Sequence, residues 1–150
     1  MPAPAAWYFA YASNMSRKQM SSRAEVLEEY AGKLENYELV FNKKVRGGVA
    51  TANVRQAPGK IVQGVLYRIT ESSFRNLDRF EGVPQHYRRT EVNVGYGEGK
   101  SVPAQIYIAT KVDKALRPAP HYLQTILEGA AEHDFPAEYV EKIKAAAQGG

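Results

Sequence analysis

Cysteine is absent from the chain, which removes disulfides, thiolate metal sites and a thiol nucleophile together. Histidine is scarce: His86, His121 and His133 are the only three, and no two stand at a metal-ligand spacing. The phosphate loop, the dinucleotide glycine motif, the H-E-x-x-H zinc motif and the G-x-S-x-G elbow are all missing. A metal or nucleotide enzyme would therefore have to assemble its site from scattered residues. No apolar run reaches the ~18 residues that a membrane-spanning helix needs. The stretch MPAPAAWYFAY has no basic segment ahead of its apolar part, contrary to a secretory signal. These absences fit a cytoplasmic protein with no membrane partner.

Charge of one sign is in slight excess, with 20 Lys and Arg against 16 Asp and Glu. The basic residues are scattered, and their densest groups, Lys43-Lys44 with Arg46 and Arg88-Arg89, are short. Nucleic-acid binding calls for a contiguous basic stripe or an aromatic platform, so a modestly positive, solvated surface is the reading of this charge. At 150 residues the chain is long enough to bury the core of a single domain.

Trp7 to Tyr11 reads as a strand, too apolar for a sheet edge. It breaks abruptly into Ala12-Ser13-Asn14. Ser16 and Gln19, three apart, form a capping box, so a short helix is expected to begin near Met15 to Arg17. Tyr37 to Phe41 is the next strand; Gly47-Gly48 marks a turn or bulge before Val49 to Ala52. Ala57-Pro58-Gly59 reads as a further turn, followed by a strand from Ile61 to Tyr67 interrupted at Gly64. A helix is predicted from Thr70, its cap, to Glu81, with Gly82 and Pro84 just past its end. Thr90 to Tyr96 alternates cleanly and is joined through GYGEGK to Ser101 to Ala109, a hairpin. Pro118 to His133 and Pro136 to Ala147 read as two closing helices, the second ended by Gly149-Gly150. Strands cluster and are joined largely by hairpins, which gives an α+β class rather than a doubly wound parallel sheet.

Two features could carry chemistry. At ~100° per residue, Glu81 falls between Phe74 and Leu77, on the apolar face of its helix. It also lies in the last turn, where the helix dipole disfavours a carboxylate by ~0.3–1 kcal/mol. Burial pushes its pKa the same way, upward, which is what a general base near neutral pH requires. Alternatively the last turn frays, and Glu81 swings to solvent or pairs with Arg79 or Arg88. Asp78 is the competing acid but sits at the edge of the apolar face, where a cap or surface role suits it. The second feature is the connection after Tyr11. It leaves backbone N–H groups of residues 12 to 16 free to meet an anion such as a carboxylate, with small residues at 12 and 13 allowing close approach. An ordinary capped turn is the alternative.

Taken together, YFAYASNM, YRITESSFRNLDRFEGVPQHYRR and PAPHYLQTILEGAAEHDFPAEY resemble the γ-glutamylcyclotransferase-like family. That family's signature is Tyr-Gly-Ser-Asn in a first loop, a helix ending in Glu-Gly-Val, and a tyrosine shortly after. The resemblance runs in order over nearly the whole chain and is weakest in residues 23 to 60. It implies a small mixed β-barrel flanked by helices, with one cavity, and a small-molecule γ-glutamyl substrate. By the resemblance Tyr11, Ala12, Ser13 and Asn14 form the loop that binds the γ-glutamyl head group, and Glu81 is the catalytic acid/base. Tyr87, Tyr107 and Tyr122 line or support the pocket; for Tyr107 the strand pattern also allows a plain packed aromatic.

The implied reaction is an intramolecular aminolysis releasing 5-oxoproline and an amino acid or amine, with no cofactor and no metal, because the substrate supplies its own nucleophile. Within the same fold, a cyclotransferase for γ-glutamylamines or γ-glutamyl protecting groups is an alternative. A non-catalytic binding module is another, though retention of Glu81 speaks against it. Ala12 stands where the family usually has glycine. A positive φ there would cost alanine ~1 kcal/mol or more, whereas a need only for small size would be met. The leaving-group side is expected to depend on loops around residues 42 to 58 and 110 to 118.

Overall fold

The apolar run around Trp7 forms the first strand, β1 (Ala5–Ala10), in a computed structural model that describes residues 4–114 and 116–149. The first three residues of the N-terminal stretch, one residue of the 110–118 loop and the second closing glycine lie outside the described residues. β1 lies antiparallel to β3 (Val49–Thr70), with Tyr8 opposite Tyr67 and Phe9 opposite Leu66. Its other edge meets β5 (Lys100–Ala109) in a parallel contact at Tyr8 and Gln105. With β2 (Val26–Val45) and β4 (Tyr87–Tyr96), the order β1-β3-β2-β4-β5 closes a barrel. Closure leaves no free sheet edge, and it explains why β1 is apolar along its whole length. Phe9, Leu66, Val94 and Ile106 are fully buried in the core.

The expected mixed barrel flanked by helices is thus the fold, with α1 (Arg17–Ser21), α2 (Glu71–Phe80), α3 (Pro120–Glu132) and α4 (Ala137–Ala147) among the described residues. None of these helices is long and apolar enough to cross a membrane. α3 opens at Pro120 and α4 follows Pro136, two and one residues inside the expected starts. Thr70 stands at the head of α2 but makes no capping bond; its hydroxyl pairs with the Ser73 hydroxyl at 2.7 Å.

Three expectations are corrected. The strand predicted at Tyr37 to Phe41 is the second half of β2, which begins eleven residues earlier at Val26. Its first half carries charge outward, and ion pairs such as Glu28 with Arg68 at 2.9 Å replace an apolar alternation. Ala57-Pro58-Gly59 is not a turn between strands but an irregularity inside β3. The pairing jumps there from Glu35 opposite Ile61 to Tyr37 opposite Gln56. Asn36 takes φ 67° and Gly59 φ 82°, and the Gly59 N–H donates to Asn36 Oδ1 at 3.0 Å. Pro58, lacking an N–H, sits where no ladder bond is required. Gly64 does not interrupt the strand. A Cβ there would lie 2.3 Å from the Ala10 carbonyl oxygen and 2.7 Å from the Phe9 ring, so glycine lets β1 pack flush against β3.

Candidate active site

The end of β1, the β2–β3 hairpin and the C-terminus of α2 meet around a cavity of about 710 Å³. Tyr11, Ala12, Ser13, Asn14, Glu81, Tyr87, Tyr107 and Tyr122, chosen from the sequence, all line it. That volume falls in the range of small-molecule sites.

The loop after β1 is a single 3₁₀ turn, Ser13–Met15. Met15 N–H donates to the Ala12 carbonyl and Ser16 N–H to the Ser13 carbonyl, each at 3.0 Å. That corrects the expectation of free donors over residues 12 to 16: two of the five are used. The N–H groups of Ala12, Ser13 and Asn14 have no acceptor among the described residues. Ser16 caps α1 by accepting from Gln19 N–H at 3.3 Å. The reciprocal half of the capping box is not made. Gln19 Nε2 instead donates to Ser13 Oγ at 2.7 Å and to Asn14 Oδ1 at 2.9 Å, tying the helix to the loop. Ala12 has φ −134°, so the position does not require the left-handed backbone that favours glycine, and small size is what alanine preserves.

Asn14 is buried, and its side chain is committed within the protein. Nδ2 donates to the Tyr8 hydroxyl at 3.0 Å, and Oδ1 accepts from Gln19 and from Arg23 Nη1 at 3.1 Å. Its carbonyl accepts from the Tyr67 hydroxyl at 2.8 Å. The side chain therefore holds the loop in shape, on the wall of the cavity. From the other side α3 presses on the turn through Gly129, whose missing Cβ would lie 2.6 Å from Met15.

Glu81 caps the C-terminus of α2 in a helical conformation, its N–H bonded to the Leu77 carbonyl at 2.9 Å. The helix ends one residue before it, at Phe80, yet the last turn is not frayed. Its carboxylate makes no ion pair with Arg79 or Arg88, or with any other described residue. Solvent reaches it through the cavity, and enclosure elsewhere pushes its pKa up from 4.5 to about 7, against the opposing pull of the Arg23 guanidinium. Asp78 takes a structural role. It accepts the Tyr107 hydroxyl at 2.6 Å and stands 3.5 Å from Arg89.

The tyrosines are held chiefly by main-chain bonds. Tyr11 donates to the Tyr107 carbonyl at 2.6 Å and Tyr87 to the Ala52 carbonyl at 2.6 Å. The Tyr122 hydroxyl accepts from Ala52 N–H at 3.0 Å, leaving its own proton uncommitted among the described residues. Burial pushes the phenols of Tyr8, Tyr11, Tyr87, Tyr107 and Tyr122 well above 10, so all stay protonated donors at neutral pH. Tyr107 is both things at once: a packed aromatic against Tyr8 (centroids 5.7 Å apart) and part of the cavity wall.

Sequence reasoning missed Tyr8, Gln19 and Arg23 as parts of the wall. Gln19 was visible only as a helix cap. Arg23, whose guanidinium lies 4.2 Å over the Phe80 ring beside Asn14, carried no local signal.

Comparison with known proteins converges on one family. The AIG2-like family model matches residues 61–143. The chain is 33% identical to mouse γ-glutamylcyclotransferase over 147 residues, spanning 92% of this chain and 77% of that protein. The human γ-glutamylcyclotransferase is 34% identical, with the same coverage of both chains. A solved γ-glutamyl cyclotransferase structure superposes with a TM-score of 0.84 at 31% identity, covering 94% of this chain and 87% of that one. The chain belongs to the AIG2-like, γ-glutamylcyclotransferase-like family of enzymes.

Proposed function

We propose that the protein is a γ-glutamylcyclotransferase, releasing 5-oxoproline from a γ-glutamyl compound by intramolecular aminolysis with Glu81 as acid/base. The observation that carries this reading is the sharing of one cavity by Glu81, tuned to about 7, and the uncommitted N–H groups of Ala12, Ser13 and Asn14.

In the glutamyl head group the α-carboxylate and α-ammonium sit on one carbon. Loop donors, with Arg23 behind them, would receive the carboxylate, which turns the ammonium toward Glu81. Glu81 takes a proton from the ammonium, and the freed amine attacks the γ-carbonyl carbon. A five-membered lactam forms as the amide C–N bond breaks. Glu81 passes that proton to the departing nitrogen, and the second proton that the attacking nitrogen sheds on becoming a lactam N–H follows it, leaving an amino acid or amine as its ammonium form. Because nucleophile and carbonyl belong to one molecule, the protein's task is to fold the substrate on itself and carry protons from the attacking nitrogen to the departing one. Tyr122 lines the cavity, and its hydroxyl proton, uncommitted among the described residues, would serve the developing oxyanion.

The test is incubation with a panel of γ-glutamyl amino acids, γ-glutamyl amines and glutathione, following 5-oxoproline by chromatography. Release by the native chain and its loss in Glu81→Gln are expected. No release from any substrate, or equal release by the variant, refutes the assignment.

A further inference from the structure

The cavity is electrostatically lopsided. Five cations border it, Arg23, Lys43, Lys44, Arg46 and Arg79, against the single carboxylate of Glu81. None of the five stands within ion-pair distance of a carboxylate among the described residues. Arg23 is accounted for at the head-group end, beside Asn14 and Phe80. Lys43, Lys44 and Arg46 lie on a different wall, at the end of β2 and in the hairpin turn.

Lys44 and Arg46 are exposed, as hairpin lysines and arginines usually are. Lys43 is not: it is 5% exposed. Its placement comes from a register slip between Phe41, opposite Ala52, and Lys43, opposite Thr51. Irregularities of this kind re-aim side chains and recur beside functional sites. Here three successive residues, Phe41, Asn42 and Lys43, are all buried, where regular alternation would expose one of them. With the Tyr87 proton on the Ala52 carbonyl, Thr51 Oγ1 donates to the Tyr87 hydroxyl on the cavity wall at 2.9 Å and stands 3.4 Å from the Lys43 carbonyl. The Lys43 ammonium makes no hydrogen bond or ion pair among the described residues and is not among the sealed, unpartnered side-chain atoms. The stem is therefore buried while the charge stays accessible on the cavity wall, where an anionic ligand can meet it.

The glutamyl head group brings one carboxylate and one ammonium, matched by the loop, Arg23 and Glu81. Three hairpin cations are then left for the departing half of the substrate. An amine supplies no charge there, and a neutral amino acid supplies one carboxylate. We infer that the hairpin wall is a leaving-group subsite for a dicarboxylic amino acid, with Lys43 as its specificity-determining residue. This rests on the γ-glutamylcyclotransferase reading and names the substrate class within it: a γ-glutamyl dipeptide whose second residue is glutamate or aspartate.

The experiment compares γ-glutamyl-glutamate with γ-glutamyl-glutamine, which match in shape and differ by one charge on the leaving group. The glutamate dipeptide is expected to have a kcat/KM at least tenfold higher, an advantage that shrinks as salt rises. In Lys43→Met the ratio between the two substrates falls toward one; a purely structural role for Lys43 would lower both rates and keep the ratio. Lys44→Gln with Arg46→Gln, at exposed positions, reads the same ratio without disturbing the core. Equal kcat/KM for the two dipeptides, or a ratio that survives in every hairpin variant, overturns the subsite. Calorimetric binding of both dipeptides to Glu81→Gln gives a readout independent of turnover. If 5-oxoproline never forms, the reaction reading fails, whereas the subsite stands or falls on whether the glutamate dipeptide binds more tightly.

Discussion

Replacing Glu81 by glutamine is expected to stabilise the protein at alkaline pH and leave it nearly unchanged in acid. The carboxyl ionises near 7 in the folded chain and near 4.5 when free of its surroundings. Between those values the folded state holds a proton that the unfolded state has released. Stability therefore falls as pH rises through this window, because the folded form binds more protons. At about 1.36 kcal/mol per pH unit, a gap of about two and a half units amounts to ~3 kcal/mol, fully developed above pH 7 and absent well below 4.5. Water entering the cavity makes this the ceiling. Glutamine has the same shape and no proton to lose, so the variant escapes the penalty. Urea unfolding of both proteins at pH 4 and pH 8 measures it: the stability difference between variant and native chain should grow by up to ~3 kcal/mol from the lower pH to the higher. Every other titrating group cancels in that comparison, as does any pH-independent cost of burying an amide. A difference equal at the two pH values would mean that Glu81 ionises like an exposed carboxylate, and the argument for a base tuned to neutrality would collapse.

Three further outcomes are expected. Arg23→Met removes the cation that opposes the rise at Glu81, so the acidic limb of the kcat/KM profile against pH should move upward; an unmoved limb would detach Arg23 from Glu81. Gly129→Ala should reverse the usual helix gain of ~1 kcal/mol, because the new Cβ would sit 2.6 Å from Met15. Overpacking of ~1–3 kcal/mol should lower Tm by several degrees and raise KM through the displaced loop, and a higher Tm would contradict that contact. Ala12→Gly should cost up to ~1 kcal/mol through the unfolded chain with no gain in turnover, since Ala12 has φ −134°; a severalfold faster variant would show that the alanine is a hindrance.

The parts of the fold that could be read from the sequence are those whose information is local. β1, the β4–β5 hairpin and the last three helices announce themselves by periodicity and by glycine and proline at their ends. Glu81 was visible because a charged residue on an apolar helical face is a contradiction that periodicity alone exposes. The first half of β2 was invisible because its partner, not its pattern, makes it a strand: Glu28 meets Arg68 across the ladder, forty residues on. Ala57-Pro58-Gly59 misled for the same reason. Its glycine and proline do mark a break in regular backbone, but Asn36, on the facing strand, bends with it and keeps the hairpin continuous. Tyr8, Gln19 and Arg23 join the site through tertiary bonds to Asn14, and no spacing in the sequence encodes those.

What the candidate site has in common with itself, residue by residue, is local disadvantage. A carboxylate ends a helix at the dipole's wrong pole, and three loop N–H groups lack acceptors among the described residues. Each lowers stability, and each persists only because its neighbours are over-determined. The hydroxyls of Tyr11, Tyr67 and Tyr87 reach main-chain carbonyls rather than one another, at 2.6 to 2.8 Å, so they pin backbone across the barrel irrespective of what occupies the cavity. Removing such a hydroxyl leaves a buried carbonyl unpaired, at ~1–3 kcal/mol, while a site residue removed relieves a disadvantage. The two classes of residue should therefore separate by the sign of their effect on stability. Framework tyrosines lose it when truncated to phenylalanine, and Glu81 gains it when neutralised. A carboxylate held at no cost would ionise near 4.5 and be a weak base at neutral pH; the instability of Glu81 and its proposed usefulness are the same free energy.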